Sequence, residues 1–394
     1  MVSDFIIDFL KKLGIAAPNR MGWVTVVLVF IMAAAIAWYF MPKVRVFSMK
    51  VGWADEPNSR RINKEPIPNA GGLVIFSSVI LALLLATILR PIAIEEVKVQ
   101  VLAILLGGSF MIITGFIDDQ YGLPPLFRLG VQTIAGLFLI STGTRINILF
   151  GDAAADPSTW ANVLSVLVTL IWIVSITNAI NLIDGLDGLA GGVSFITAIC
   201  LLAVAAQSTP KAAATLLMAA LAGSALGFLR HNFPPSRIIM GDSGAYFFGY
   251  VLAASSILGN LKISTVFALF PTLMFLLLPV IDTLQVVLHR LAHKKNPLSS
   301  PGRDHLHHRL LARGLSQTRT ILILWGVSLI TNIIAMVVLN ITKSTNLSLQ
   351  AIITTVFGII ILLGFVAWCR RRALRRAAAS NSASNNDGDE KELV

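Results

Sequence analysis

Asn178-Ala-Ile-Asn-Leu-Ile-Asp-Gly-Leu-Asp-Gly-Leu-Ala-Gly-Gly192 is the stretch on which the interpretation of this sequence rests. Two amides and two carboxylates fall on every third residue, between two apolar segments: Asn178, Asn181, Asp184 and Asp187. A helical turn would bring the last three side chains close to one edge. A polar turn between membrane helices is the simplest interpretation, but acids beside hydrocarbon are costly and commonly mark a functional site. The stretch therefore predicts a site at a membrane surface.

The composition indicates an integral membrane protein. The chain is 56% hydrophobic and 13% charged, whereas a soluble domain has roughly 25% charged residues. A run of about 18 apolar residues can cross a bilayer. Eleven segments approach or reach that length: Trp23–Phe40, Gly71–Leu89, Val99–Ile117, Leu129–Ser141, Ala161–Thr177, Leu189–Ala206, Ala212–Leu229, Ala245–Leu258, Ser264–Ile281, Ile321–Leu339 and Leu349–Trp368. The sequence predicts an all-α, polytopic membrane protein.

The positions of Lys and Arg predict the topology, because cytoplasmic loops are enriched in both. With an outside N-terminus and eleven crossings, 22 of the 31 Lys and Arg residues fall on the inside. The net charge of +11 is therefore largely a topology signal, and we expect no nucleic-acid partner. One transmembrane domain, 21–369, would follow an N-terminal segment, 1–20. The polar tail, 370–394, is typical of disorder.

The predicted inside loops carry most of the unusual polar residues. The first offers Arg60, Arg61 and Lys64 for substrate phosphate, although its charges could also serve only as a positive-inside anchor. The second opens with Asp118 and Asp119, adjacent carboxylates that repel unless a cation or a proton relieves them. In the fourth, Asp242 stands at a predicted helix start, where free backbone N–H groups favour an anion, or where a carboxylate could cap the helix.

The fifth inside loop contains a cluster of basic side chains, Arg303, His305, His307 and His308. The His-x-His-His pattern could suggest zinc, but it lacks the Glu of a zinc-protease helix and any nearby cysteine. Together the loops supply acids for a hard cation and basic groups for phosphate. Mg²⁺ suits this combination, because it takes oxygen ligands and shares them with substrate phosphates. The sequence predicts phosphoryl transfer between a soluble nucleotide and a lipid at the inner face.

Five motifs, in order over residues 45 to 315, resemble the polyprenyl-phosphate N-acetylhexosamine-1-phosphate transferases, in particular the WecA/TagO-type branch related to MraY. The resemblance implies transfer of N-acetylglucosamine 1-phosphate from its UDP-sugar to undecaprenyl phosphate, with release of UMP. It also implies a bacterial plasma membrane location, cell-envelope glycan synthesis, Mg²⁺ (with Mn²⁺ as a substitute) and often a homodimer.

The resemblance also implies roles for individual residues. Asp242 would be the principal Mg²⁺ ligand, with Asn181 as its partner. Asp118 or Asp119 would orient or deprotonate the acceptor phosphate, and Asp118 is the favoured one. The expected substrate-binding groups are a larger set: Asp187 at uracil, Asp184 beside it, Arg303, His305 and His307 at the diphosphate or sugar, and Asn178, Arg60 and Asn58. His308 would stabilise charge as the bond to UMP breaks.

Several positions depart from relatives. Gly122 stands where the muramoyl-pentapeptide branch tends to carry Lys, which argues against that branch's substrate. Asn63 replaces a usual His, and Ile239 replaces an aromatic residue expected over uracil, so polar contacts would hold the uridine. Asp282 is also family-like, and we expect it to pair with an arginine of the following loop.

Three alternatives remain open at this point. The same chemistry could act on another UDP-sugar, such as UDP-N-acetylgalactosamine or the muramoyl-pentapeptide nucleotide. A transporter that relays protons would need polar residues near helix centres, but these are almost purely apolar. An inactive scaffold would require one of the motifs to be broken.

Overall fold

The computed structural model describes residues 23–55, 65–89, 98–146, 160–205, 212–260, 273–293 and 305–343. Within these ranges the elements are α1 (Trp23–Val51), β1 (Ala54–Asp55), β2 (Ile67–Pro68), α2 (Gly71–Leu89), α3 (Lys98–Tyr121), α4 (Pro125–Ser141), α5 (Trp160–Ile183), α6 (Leu189–Ala205), α7 (Ala212–Asn232), α8 (Gly241–Asn260), α9 (Leu277–Ala292), α10 (Leu306–Leu311) and α11 (Gln317–Lys343). β1 and β2 form one short antiparallel pair. The described chain is otherwise helices and connections, as the sequence predicts.

The helices have the length and composition of membrane spans. Six of those described, α1, α2, α3, α5, α7 and α11, are long and apolar enough to cross a bilayer. The fourth and sixth predicted segments form shorter apolar helices, α4 and α6. The first half of the predicted segment at 264–281 lies outside the described residues, and the segment at 349–368 lies entirely outside them. The protein is an all-α, multi-pass membrane protein.

Helix α8 is the central element of the first compact unit, Met1–Met336. It packs against α2, α3, α5, α6 and α7. Four of its aromatic side chains are fully buried: Tyr246, Phe247, Phe248 and Tyr250. A helix that is apolar on all sides is stable only when other elements surround it. The described part of the second unit, Val337–Val394, is the end of α11.

Helices α1 and α7 approach closely through small residues. A Cβ at Gly223 of α7 would lie 2.1 Å from the carbonyl oxygen of Phe30, and one at Gly227 would lie 2.4 Å from that of Ala34. Membrane helices commonly use a small-xxx-small pattern of this kind, because it lets the two backbones come together.

We expect Gly223→Leu to destabilise the protein, because the new side chain must push α1 away from α7. Overpacking of a tight core costs about 1–3 kcal/mol, so the melting temperature in detergent should fall by several degrees. Gly326→Leu on α11 is the matched control, since a Cβ there would meet nothing within 4 Å. Equal melting temperatures for the two variants would contradict the close approach.

Candidate active site

The last turn of α3 meets the first turn of α8. Asp119 Oδ1 accepts the backbone N–H of Asp242 at 2.8 Å, and its Oδ2 accepts that of Ser243 at 3.2 Å. Gly115 makes this approach possible, because a Cβ there would lie 2.4 Å from the backbone of Ser243. The sequence predicts an anion at this helix start, and the structure places the Asp119 carboxylate there. Asp119, rather than Asp242, caps the helix.

Asp118 points to a different set of partners. Its Oδ2 accepts hydrogen bonds from Arg128 Nη1 at 2.9 Å and from the Tyr246 hydroxyl at 3.0 Å. Its Oδ1 accepts the backbone N–H of Leu123 at 2.7 Å. Asp118 is buried, whereas the Arg128 side chain is 27% exposed. The carboxylate is therefore held by an arginine that reaches solvent.

Asn181 connects the stretch 178–192 to α8. The helix α5 continues to Ile183, so Asn181 belongs to its last turn, and its Nδ2 donates to Asp242 Oδ1 at 2.7 Å. Burial, together with the nearby Asp118 carboxylate, raises the pKa of Asp242 to about 7. An added cation would favour the ionised form.

Asp187 contacts the connection between α7 and α8. Its Oδ2 accepts the backbone N–H of Ser236 at 3.1 Å. Asn232 ties the same two segments together, since its Oδ1 accepts the N–H of Gly188 at 2.8 Å and its Nδ2 donates to the carbonyl of Ile238 at 2.9 Å. The stretch thus contributes to two neighbouring places rather than to one edge.

The histidine cluster lies against the same stretch. His305 Nδ1 contacts Asp282 Oδ2 at 2.8 Å, and Asp282 Oδ1 accepts the N–H of Leu306 at 2.6 Å. His307 is buried, and a Cβ at Gly185 would lie 2.4 Å from its Nε2. Burial, reinforced by neighbouring His308, lowers the pKa of His307 to about 3, so this imidazole is neutral. The fifth predicted loop therefore contacts the stretch 178–192.

Comparison with known proteins now identifies the family. The family model described as Glycosyl transferase family 4 matches residues 101–260. A probable undecaprenyl-phosphate N-acetylglucosaminyl 1-phosphate transferase of Bacillus subtilis is 33% identical over 347 residues, covering 87% of this chain and 92% of the relative. This chain belongs to the polyprenyl-phosphate N-acetylhexosamine-1-phosphate transferase family.

Two further relatives are named for different transferred groups. A decaprenyl-phosphate N-acetylglucosaminephosphotransferase of Mycolicibacterium smegmatis is 34% identical over 344 residues, covering 80% of this chain and 82% of the relative. A phospho-N-acetylmuramoyl-pentapeptide-transferase of Alkaliphilus oremlandii is 31% identical over 326 residues, covering 74% of this chain and 90% of the relative. The predicted resemblance is confirmed.

The structure brings together some of the predicted site residues of this transferase and not others. Asp118, Asp119, Asp242 and Asn181 form one group, and His305 and His307 form a second one beside Gly185. Asn178 lies elsewhere along α5, where its amide donates to Gln132 Oε1 at 2.5 Å. Three predicted residues lie outside the described residues: Asn58, Arg60 and Arg303. Asp184 lies in the turn after α5, beside the first group, and His308 lies on α10, beside the second. The catalytic or binding role of each of these residues stays a prediction.

Sequence reasoning missed Arg128 and Tyr246, and its expectation for Asp282 was incomplete. Arg128 is the one cation of the predicted loop 118–128, and Tyr246 follows Asp242 by one helical turn. Those two signals were present in the sequence. Asp282 was expected to pair with an arginine of the loop, but its described partners are His305 and the backbone of Leu306.

The oxygen-rich group fits a hard cation only if substrate supplies part of the coordination shell. Within the described ranges, no group of three or more His, Cys, Asp or Glu side chains is placed to hold a metal. Both oxygens of Asp119 already accept backbone N–H groups. Mg²⁺ commonly takes one or two protein ligands and completes its shell with phosphate oxygens and water. Asp242 and the Asn181 amide suit that arrangement.

Proposed function

We propose that this protein transfers N-acetylglucosamine 1-phosphate from UDP-N-acetylglucosamine to undecaprenyl phosphate. An oxygen of the acceptor phosphate attacks the sugar-linked phosphorus of the donor. The new P–O bond forms the lipid diphosphate, and the bond between that phosphorus and the UMP oxygen breaks. The products are undecaprenyl-diphosphate-N-acetylglucosamine and UMP. The lipid-linked product would be the first intermediate of a cell-envelope glycan.

The main support for this proposal is that three carboxylates and one amide meet where α3, α5 and α8 come together. These groups are Asp118, Asp119, Asp242 and Asn181. Arg128 forms an ion pair with Asp118 and adds positive charge where a second phosphate would approach. Asp118 and Asp119 already accept hydrogen bonds from fixed donors, and either would have to leave them in order to attack phosphorus. This favours direct attack by the acceptor over a covalent aspartyl intermediate.

Mg²⁺, or Mn²⁺ in its place, is part of the proposal. Asp242 and Asn181 would hold it, and the bound ion would neutralise the diphosphate and make UMP a better leaving group. On the donor side, Asp187 accepts the backbone N–H of Ser236 and would accept a hydrogen bond from the uracil ring. His307, neutral and buried against Gly185, would position the histidine loop over the sugar or the diphosphate.

We further propose eleven crossings, with the N-terminus outside and the site on the cytoplasmic face of a bacterial plasma membrane. The excess of Lys and Arg on the inside supports this orientation. An anionic inner leaflet would attract the same residues. A homodimer is proposed from the resemblance alone.

The choice of donor sugar is the least constrained part of the proposal. Gly122 stands at the position where the muramoyl-pentapeptide branch tends to carry Lys. The relatives from Bacillus subtilis and Mycolicibacterium smegmatis are both named for N-acetylglucosamine. One relative is nevertheless named for the muramoyl-pentapeptide. Competition among UDP-N-acetylglucosamine, UDP-N-acetylgalactosamine and the muramoyl-pentapeptide nucleotide would decide between these donors.

The direct test is UMP release by purified protein in detergent, given UDP-N-acetylglucosamine, undecaprenyl phosphate and Mg²⁺. We expect release that needs the lipid and stops when EDTA is added. Release from another donor only would overturn the sugar assignment. If folded, monodisperse protein releases no UMP with any donor, the enzyme assignment for this chain is overturned.

Gly185→Ala is expected to reduce turnover, because the new methyl group would sit 2.4 Å from His307 Nε2 and displace the imidazole. A misplacement of about 1 Å can cost roughly 100-fold in rate. The matched control is Gly130→Ala, where a Cβ meets nothing within 4 Å. Turnover equal to that of the control would show that His307 has no positioning role.

A further inference from the structure

A polar cavity of about 390 Å³ lies between α1, β2 and the connection from α7 to α8. Two arginines line it, Arg45 near the end of α1 and Arg237 between α7 and α8. The other lining residues are Met49, Glu65, Pro66, Ile67, Pro68 and Ser236. Among these, Glu65 is the only acid. The described lining therefore carries a net positive charge and favours an anion.

The two lining arginines share a neighbour, His231, with a third arginine. Arg45 and Arg237 both act electrostatically on His231 at the end of α7, as does the adjacent Arg230. Like charges gathered on three segments repel one another unless an anion or water relieves them. The Ser236 hydroxyl, which belongs to the lining, is buried and has no hydrogen-bond partner. The side chain would have to rotate to bring this hydroxyl to a ligand oxygen in the cavity.

The position of α1 places the cavity at the level of lipid headgroups. The apolar part of α1, Trp23–Phe40, is about 27 Å long, which is close to the thickness of the bilayer hydrocarbon. The exposed rings of Trp38 and Tyr39 then form the aromatic belt typical of the membrane interface. The Lys43 ammonium lies 3.6 Å over the Tyr39 ring. Arg45 lies just beyond this belt.

The cavity is also connected to the donor side of the candidate active site. Ser236 is a lining residue of the cavity, and its backbone N–H donates to Asp187. Pro68 lines the cavity and accepts the N–H of Ile239, three residues before Asp242. An anion between Arg45 and Arg237 would therefore order the segment that positions Asp187.

We propose that Arg45, Arg237 and Ser236 form a binding site for a phosphate anion, and that the phosphodiester headgroup of an anionic inner-leaflet phospholipid occupies it. A guanidinium makes strong, charge-assisted hydrogen bonds to phosphate oxygens. Glu65 disfavours highly charged ligands and suits a headgroup with a single negative charge. This site is separate from the one proposed for the acceptor lipid, at Asp118 and Arg128.

The test measures lipid binding rather than turnover, so its result does not depend on the proposed reaction. Delipidated full-length protein in a sugar-based detergent is titrated with phosphatidylglycerol, and retained lipid and melting temperature are recorded. Arg45→Gln, Arg237→Gln and the double variant are compared with Arg313→Gln/Arg319→Gln, which removes two exposed charges elsewhere.

We expect phosphatidylglycerol to raise the melting temperature of wild type and control by several degrees. Each single variant should bind about tenfold more weakly, and the double variant should lose the shift. A parallel arm with inorganic phosphate distinguishes the source: an equal shift would support the site but assign it a soluble phosphate. A third arm uses diacylglycerol, which lacks phosphate and should give no shift.

Two outcomes of the lipid titrations would overturn the proposal, and a third outcome, on UDP-sugar binding, would overturn it as well. One is phosphatidylglycerol binding by the double variant that equals binding by wild type. The other is a shift with diacylglycerol as large as with phosphatidylglycerol, which would reduce the effect to acyl-chain contact. If the double variant instead loses UDP-sugar binding while lipid has no effect on any form, the cavity belongs to the donor site.

Discussion

Asp242→Asn is expected to lower the rate of UMP release by about 10³-fold, the scale on which loss of one well-placed electrostatic group reduces turnover. The substitution keeps the shape of the side chain and an oxygen that can accept the Asn181 hydrogen bond. It removes the negative charge that would attract the cation. Initial rates of lipid-dependent UMP release at saturating Mg²⁺ measure the loss.

The same variant should be at least as stable as the wild type, because a neutral amide costs less to bury beside Asp118 and Asp119 than a third carboxylate. We therefore expect an unchanged or higher melting temperature together with the loss of activity. Asp387→Asn, in the predicted tail, makes the same chemical change away from the site and serves as the control. A full rate with Asp242→Asn would show that its charge has no part in the reaction.

Arg128→Met should reduce both activity and stability. Asp118 would keep its hydrogen bonds from Tyr246 and Leu123 but lose the guanidinium 2.9 Å away. Removal of one partner of a buried ion pair costs about 3–5 kcal/mol, and the 27% exposure of Arg128 reduces this to about 2 kcal/mol. We expect the melting temperature to fall by about 5 °C and turnover by at least 100-fold.

A double-mutant cycle separates the structural part of this effect from the chemical part. Arg128→Met combined with Asp118→Asn leaves no unpaired charge, so most of the lost stability should return. Turnover should stay low, because the two charges proposed to act on the acceptor phosphate are both missing. Additive losses of stability would contradict a direct interaction between the two side chains. Tyr246→Phe, which removes one hydrogen bond, should have a smaller effect than Arg128→Met.

Hydrophobic patterning was enough to predict the membrane helices in the described part of the chain. The segment Gly71–Leu89 matches α2 at both ends, because the lipid-facing positions of a spanning helix must be apolar along its length. The predicted positions of the helix ends were less accurate. The stretch that begins at Asn178 was interpreted as a loop, yet α5 continues to Ile183. Polar residues can continue a helix once it has left the hydrocarbon, so a change in polarity does not mark its end.

The local chemistry of the site was also present in the sequence. Asp118, Asp119, Asn181 and Asp242 were all recognised as unusual, because carboxylates and amides at the ends of apolar helices have few structural uses. The partner of each was not predictable. Asp119 binds the N-terminus of a helix more than 120 residues further along the chain, and Asp118, its neighbour in sequence, turns to Arg128 instead.

The sequence by itself determined that this is a helical membrane protein with acids and basic groups at the ends of its helices, since burial in lipid leaves little choice of residues there. Only the tertiary structure decided which of those groups meet. Contacts such as Gly115 with Ser243, or Gly185 with His307, depend on distances between helices far apart in sequence. Those distances result from the packing of the whole bundle, and no local pattern records them.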